Sequence, residues 1–248
     1  MKRAVLPLLS LALGLSVLGA IHAPVAEPKP VRHTISSGAI ARVLREVAAL
    51  PSRGADRSSV MQRLRDEESG TYIGDILRER DSSLARWSGR EDSPLSVWIQ
   101  PQSPLDDFSN SYVNRVREAF EAWNDVDLPV QFAFVRDSAQ AEVHVNWIDH
   151  FDEPISGRTR WARDDDWVIT DANIILALHH NQGDLLDDDS MRAMAMHEIG
   201  HLLGLDHTTD SLSIMAPKVR VRQLSSADRA TARLLYALPT GPLPGLPH

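Results

Sequence analysis

From residue 94 onward the sequence predicts an α+β fold: a mixed twisted sheet, a helix bearing closely spaced histidines, and a C-terminal helix. Two observations carry this. Strands and helices follow one another in the order strand, helix, three strands, helix, helix, which suits a mixed sheet with helices packed on it. The chain is also long and apolar enough for one substantial core, with 248 residues of which 43% are hydrophobic.

The first strand is PLSVWIQ, where Leu95, Val97 and Ile99 alternate with polar neighbours. SNSYVNRVREAFEAWNDV follows. A Ser/Asn cap precedes Val113, Val116, Phe120 and Trp123 at helical spacing, so this stretch reads as an amphipathic helix. VQFAFVR and AEVHVNWID are the next strands, the second alternating Val143, Val145 and Trp147 against Glu142, His144 and Asn146. An irregular acidic stretch leads to a further strand in WVITDANIILAL. A helix from about Ser190 then carries His197 and His201. SSADRATARLLYAL forms the last helix, capped by Ser225 or Ser226 and stopped by Pro239.

Ahead of this region the chain changes character. Lys2 and Arg3 precede an apolar run from Ala4 to about Ala20, the pattern of a secretory signal peptide over residues 1–23. Cleavage after Ala20 or Ala23 is one reading, and an uncleaved N-terminal anchor is the other. Either way the remainder is expected to be exported, to a secreted, periplasmic or extracellular location, with membrane contact only through this segment. Residues 24–90 begin with the proline-rich linker PVAEPKP. They continue with an amphipathic pattern at Ile40, Val43, Leu44, Val47 and Leu50, and with short helices around Val60–Leu64 and Tyr72–Leu77. A helical appendage and a prosegment are equally good readings of them. Residues 91–238 form the main domain, and 239–248 a Pro/Gly-rich tail.

Charge and cysteine usage exclude several classes. A net charge of −8 gives no general polyanion-binding surface, so nucleic acid is not an expected partner. No cysteine is present, so an exported form relies on its core and on bound metal, not on disulfides.

The most informative stretch is HEIGHLLGLDH. His197 and His201 lie four apart on a predicted helix, so both imidazoles leave one face and can reach a single Zn²⁺. Glu198 lies one step round, beside the metal. Gly204 can end the helix in a left-handed conformation and bring His207 back. Three protein ligands leave a fourth tetrahedral position open, as catalytic zinc requires. With 10 His and 13 Gly in the chain, chance would produce this pattern only about 4 × 10⁻⁵ times.

With HEIGHLLGLDH and the later methionine of SIMAP, the sequence resembles the metzincin metallopeptidases, which have a zincin-like fold. Within them it is most similar to the matrixins, through the short gap from His207 to Met215, the M-x-P of Met215–Pro217, and a final helix with Asp228 and Leu234–Tyr236. The resemblance covers about Pro94 to Leu238. It implies that His197, His201 and His207 are the zinc ligands, Glu198 the general base and Met215 the apolar floor of a Met-turn. It also implies that Ala216–Val219 walls the pocket for the residue after the cut. The activity implied is an exported zinc endopeptidase that hydrolyses peptide bonds of a peptide or protein substrate through a zinc-activated water. The substrate would pair with a sheet edge near Arg158 to Ala162. The alternatives are a zinc-binding interaction module without turnover and a protease limited to self-processing.

Two departures from the pattern stand out. Thr208 follows the third histidine where many matrixins have Ser, and with no cysteine a cysteine switch cannot operate. If the zinc is covered in a latent form, an Asp such as Asp56 or Asp75 is the candidate. Asp164–Asp166 and Asp187–Asp189 offer hard oxygen ligands suited to Ca²⁺, and solvated loops with helix capping explain them as well. His144, His150, His179 and His180 read as surface or loop histidines sooner than as a second metal site.

Overall fold

A computed structural model describes residue 60, residues 62–64 and residues 70–243. The signal-peptide or anchor segment, the proline-rich linker, the Ile40–Leu50 pattern, Asp56 and residues 244–248 lie outside the described residues. Among those described, no helix is long and apolar enough to cross a membrane.

The sheet is mixed and five-stranded, in the order β3-β2-β4-β6-β5. Its strands are β2 (Leu95–Ile99), β3 (Phe132–Phe134), β4 (Val143–Ile148), β5 (Gly157–Arg163) and β6 (Ile169–Ala177). β2, β3, β4 and β6 run parallel, and β5 runs antiparallel along the edge of β6. The alternation read in the sequence is the alternation observed: Leu95, Val97 and Ile99 are buried, as are Val143, Val145 and Trp147. β5 has no counterpart among the predicted strands, although the substrate edge expected at Arg158–Ala162 falls within it. Its Arg158, Arg160 and Arg163 break the apolar alternation, because this edge strand keeps only part of its surface buried.

α1 (Ile73–Glu79) and the short β1 (Ser83–Leu84) precede the sheet, and α2 (Asn110–Asn124) follows β2. Ser109 caps α2 by accepting from Ser111 N–H, and the helix buries Tyr112, Val116, Ala119, Phe120 and Trp123. α3 (Asp188–Leu202) begins two residues earlier than expected, because Asp187 caps it by accepting from Ser190 N–H. Nine of its fifteen residues are buried, on all sides, which makes it the central element of the core. Trp123 Nε1–H donates to Met196 O at 2.9 Å and joins α2 to it. α4 (Ser226–Ala237) opens with a full capping box between Ser225 and Asp228.

Residues 70–90 pack into the same core. Ile73, Ile76, Leu84, Ala85 and Trp87 are at most 1% exposed within one continuous apolar cluster. Each large side chain so buried contributes roughly 1.5–3 kcal/mol. Trp87 Nε1–H donates to Leu202 O at 3.0 Å, at the end of α3. β1 pairs antiparallel with β7 (Gly241–Pro242), tying this segment to the chain beyond α4.

Candidate active site

The end of α3 brings three imidazoles together. The Nε2 atoms of His197 and His201 lie 3.1 Å apart, and that of His207 is 3.3 Å from each. Gly204 makes this possible. It adopts φ +96°, and a Cβ there would meet Ala85 O at 2.1 Å, so neither the turn nor the approach of the Ala85 backbone tolerates a side chain.

The hydrogen bonds of the other ring nitrogens decide what the cluster can hold. His197 Nδ1 lies 2.7 Å from Ile214 O and His201 Nδ1 2.9 Å from Leu205 O. Carbonyls only accept, so both Nδ1 atoms carry the proton and both Nε2 atoms present lone pairs to one another. Such an arrangement repels unless a cation sits between them. Tetrahedral Zn–N bonds of about 2.0–2.1 Å require ligand nitrogens about 3.3 Å apart, close to what is found. Burial, reinforced by the neighbouring His201, lowers the His197 pKa to about 3. Burial likewise lowers that of His201 to about 4, so both rings are neutral ligands near neutral pH. Among the described residues these three form the group whose ligand atoms converge as a metal requires.

Glu198 is 3% exposed, and β5 holds it. Thr159 Oγ1 lies 2.7 Å from Glu198 Oε2 and 2.9 Å from Glu198 O. Gly157 gives the carboxylate its space, because a Cβ there would meet Glu198 Oε1 at 2.4 Å. Burial pushes the Glu198 pKa up to about 7, against the lowering effects of the Thr159 hydrogen bond and the Arg158 charge. Thr159 escaped the sequence reading because its partner is 39 residues away and no local pattern links them.

Met215 is fully buried beneath α3, where a Cβ at Gly200 would meet its Sδ at 2.3 Å. The turn bearing it is anchored by Asp228, itself fully buried. Its carboxylate accepts from Ile214 N at 3.1 Å, Ser225 N at 2.7 Å, the hydroxyls of Ser213 and Ser225, and Tyr72 OH at 3.1 Å. Because Ile214 O receives the His197 proton, this hub connects Tyr72, ahead of α1, to the first histidine.

Other candidates have different roles. Asp75 accepts from Thr208 Oγ1 at 2.9 Å and pairs with Arg78, in a separate hollow beside Thr208–Asp210, so it does not cover the histidines. Asp164 closes a turn through Asp166 N and Val168 N. Asp187 is the α3 cap, Asp188 binds Ser111 and Arg115, and Asp189 faces Arg222. His144 contacts Ser138 O and His150 pairs with Asp149. His179 lies between Asp107 and Asp149, and His180 bonds Ser156.

The histidines and Glu198 open into a cleft of about 1180 Å³ between β5 and the Pro217–Val219 segment. A mixed sheet, a histidine-bearing helix and a third histidine returned by a glycine turn make an arrangement similar to that of a metzincin catalytic domain. Residues 149–237 match the Matrixin family model. The chain is 27% identical to matrix metalloproteinase-C of Caenorhabditis elegans over 195 residues, covering 71% of this chain and 31% of that protein. It is 29% identical to metalloendoproteinase 1-MMP of Arabidopsis thaliana over 174 residues, 61% of this chain and 44% of that one. With human matrix metalloproteinase-16 it shares 35% identity over 98 residues, 38% of this chain and 14% of that one. The chain thus spans less than half the length of these relatives, and it carries a matrixin-like catalytic domain.

Proposed function

We propose that this protein is an exported zinc endopeptidase, with His197, His201 and His207 as zinc ligands and Glu198 as general base. The observation that carries the reading is the triangle of Nε2 lone pairs beside a buried carboxylate. Zinc bound by these residues supplies a Lewis acid for a peptide carbonyl and lowers the pKa of water. Glu198 takes the proton from the attacking water and delivers it to the leaving amine nitrogen.

Thr159 holds Glu198 in place through the proton transfer. Its hydroxyl donates to Oε2 and lies within reach of Glu198 O, so the other carboxylate oxygen is the one left to take and release the proton. The base therefore keeps one orientation through the proton transfer. Ile214 O and Leu205 O fix the tautomers of two ligands. Met215 packs under the ligand helix as the apolar floor. The exposed edge of β5 offers unpaired backbone groups to an extended peptide. Export is supported by the basic-then-apolar run from Lys2 to Ala20.

The test is hydrolysis of a quenched fluorescent peptide by the full chain, with zinc content measured alongside. Chelation should abolish cleavage and zinc should restore it. Glu198→Ala should retain about one zinc per chain and lose turnover, whereas cleavage at the wild-type rate by this variant rules out the proposed base.

A further inference from the structure

The charge of the cleft points to a class of peptide, provided the site is the peptidase centre proposed above. The chain as a whole is acidic, at −8, yet the wall strand β5 carries three arginines in seven residues, GRTRWAR. Strand alternation places Arg158 and Arg160 on the side of β5 opposite Thr159, which faces Glu198. Arg158 is already engaged, donating to Glu153 at 2.7 Å and lying 4.8 Å over the Phe151 ring. Arg160 is exposed, lines the cleft and makes no ion pair of its own within 4.0 Å among the described residues, its charge acting only at longer range on Glu153, which Arg158 already holds.

A second unpaired cation comes from the other wall. Lys218, in the segment after Met215, is likewise exposed, lines the cleft and has no carboxylate partner among the described residues. Arg80 lies between the walls. It pairs with Asp206, donates to Gly204 O at 3.1 Å and rests 5.2 Å over the Trp161 ring. Of the acidic groups lining the cleft, Asp206 is held by Arg80 and Glu198 is turned to Thr159, which leaves Asp184 at the rim.

We propose that this cleft selects peptides with Asp or Glu close to the scissile bond, and that Arg160 and Lys218 are the residues that determine this specificity. A peptide lying along β5 passes between one unpaired cation on the strand and one on the Pro217–Val219 wall. The concave setting focuses their field. Both cations are exposed, so the preference is salt-sensitive and moderate.

The experiment uses the zinc-loaded full chain as Glu198→Ala, which binds without cutting. Fluorescence anisotropy compares two peptides identical except for Asp or Lys on either side of the central residue. The Asp peptide should bind roughly five- to tenfold tighter at low salt, as two exposed charge pairs allow, and lose most of that margin at high salt. Adding Arg160→Glu and Lys218→Glu should reverse the order. Equal affinities, or an order unchanged by the charge reversals, would overturn the proposal. Turnover separates this from the parent reading. Cleavage by the wild type with no enrichment of acidic residues around the cut sinks the specificity and leaves the peptidase standing. Acid-selective binding without any cleavage supports the cleft preference and removes the peptidase.

Discussion

Gly157→Ala is the sharpest perturbation available, because the three atoms nearest the added Cβ all belong to Glu198, the proposed general base. The added Cβ would lie 2.4 Å from Glu198 Oε1, 2.7 Å from Cγ and 2.8 Å from Cδ, where ordinary contact begins at 3.4 Å. The carboxylate must therefore retreat by about 1 Å, and a displacement of that size in a catalytic group lowers the rate on the order of a hundredfold. Retreat also breaks the 2.7 Å bond to Thr159. The clash falls on Glu198 and not on a histidine, so zinc content should remain near one per chain. The assay is kcat/KM on a fluorogenic peptide, normalised to bound zinc. A zinc-loaded Gly157→Ala enzyme with more than about a third of wild-type activity would show that β5 does not hold the base, and the reasoning would fail.

Thr159→Ala should lower kcat about tenfold with little change in KM, and Thr159→Ser should recover most of it, because only the hydroxyl is used. Steady-state kinetics on the two variants decides this. Asp228→Ala strands Ile214 N–H and Ser225 N–H in a buried site and should destabilise the fold by roughly 3 kcal/mol in denaturant titrations. It should also weaken zinc binding about tenfold by loosening Ile214 O, a shift read by competition with a chelator.

The titrating groups give a pH signature in the metal-free chain. His197 and His201 have folded pKa values of about 3 and about 4, below the ordinary 6.5, so the stability tied to their neutral form is complete above pH 6.5 and falls away towards pH 3–4. Glu198, raised to about 7, acts in the opposite sense: its contribution is complete below 4.5 and lost as pH rises through 7. Scanning calorimetry should show wild-type Tm falling from pH 6.5 to 4, and more steeply in Glu198→Gln, where the opposing group is gone. Equal slopes in the two proteins would contradict these assignments.

The convergence of the histidines was legible because a helix converts sequence spacing directly into geometry. His197, Glu198 and His201 needed only the four-residue repeat, and Gly204 only the demand for a positive φ. β2, α2, β4 and α4 were legible for the same reason, each having one apolar face at a fixed period. What sequence could not show depends on contacts between distant segments. β5 hides behind arginines that an edge strand can expose. The burial of Leu84 and Trp87 and the Tyr72–Asp228 bond require knowing that residues 70–90 meet α3 and α4. The second reason for Gly204, the Ala85 carbonyl 2.1 Å from its would-be Cβ, is invisible for the same cause.

The central claim is that Glu198 and a three-histidine zinc centre hydrolyse peptide bonds. Its most direct test is mass spectrometry of products from a mixed unfolded-protein substrate incubated with the full chain in ¹⁸O-labelled water. The account predicts new C-termini that carry one ¹⁸O, appear with zinc-loaded wild type, and are absent with chelator or Glu198→Ala. Stoichiometric zinc with no labelled termini, or labelled termini of equal yield from Glu198→Ala, would contradict it.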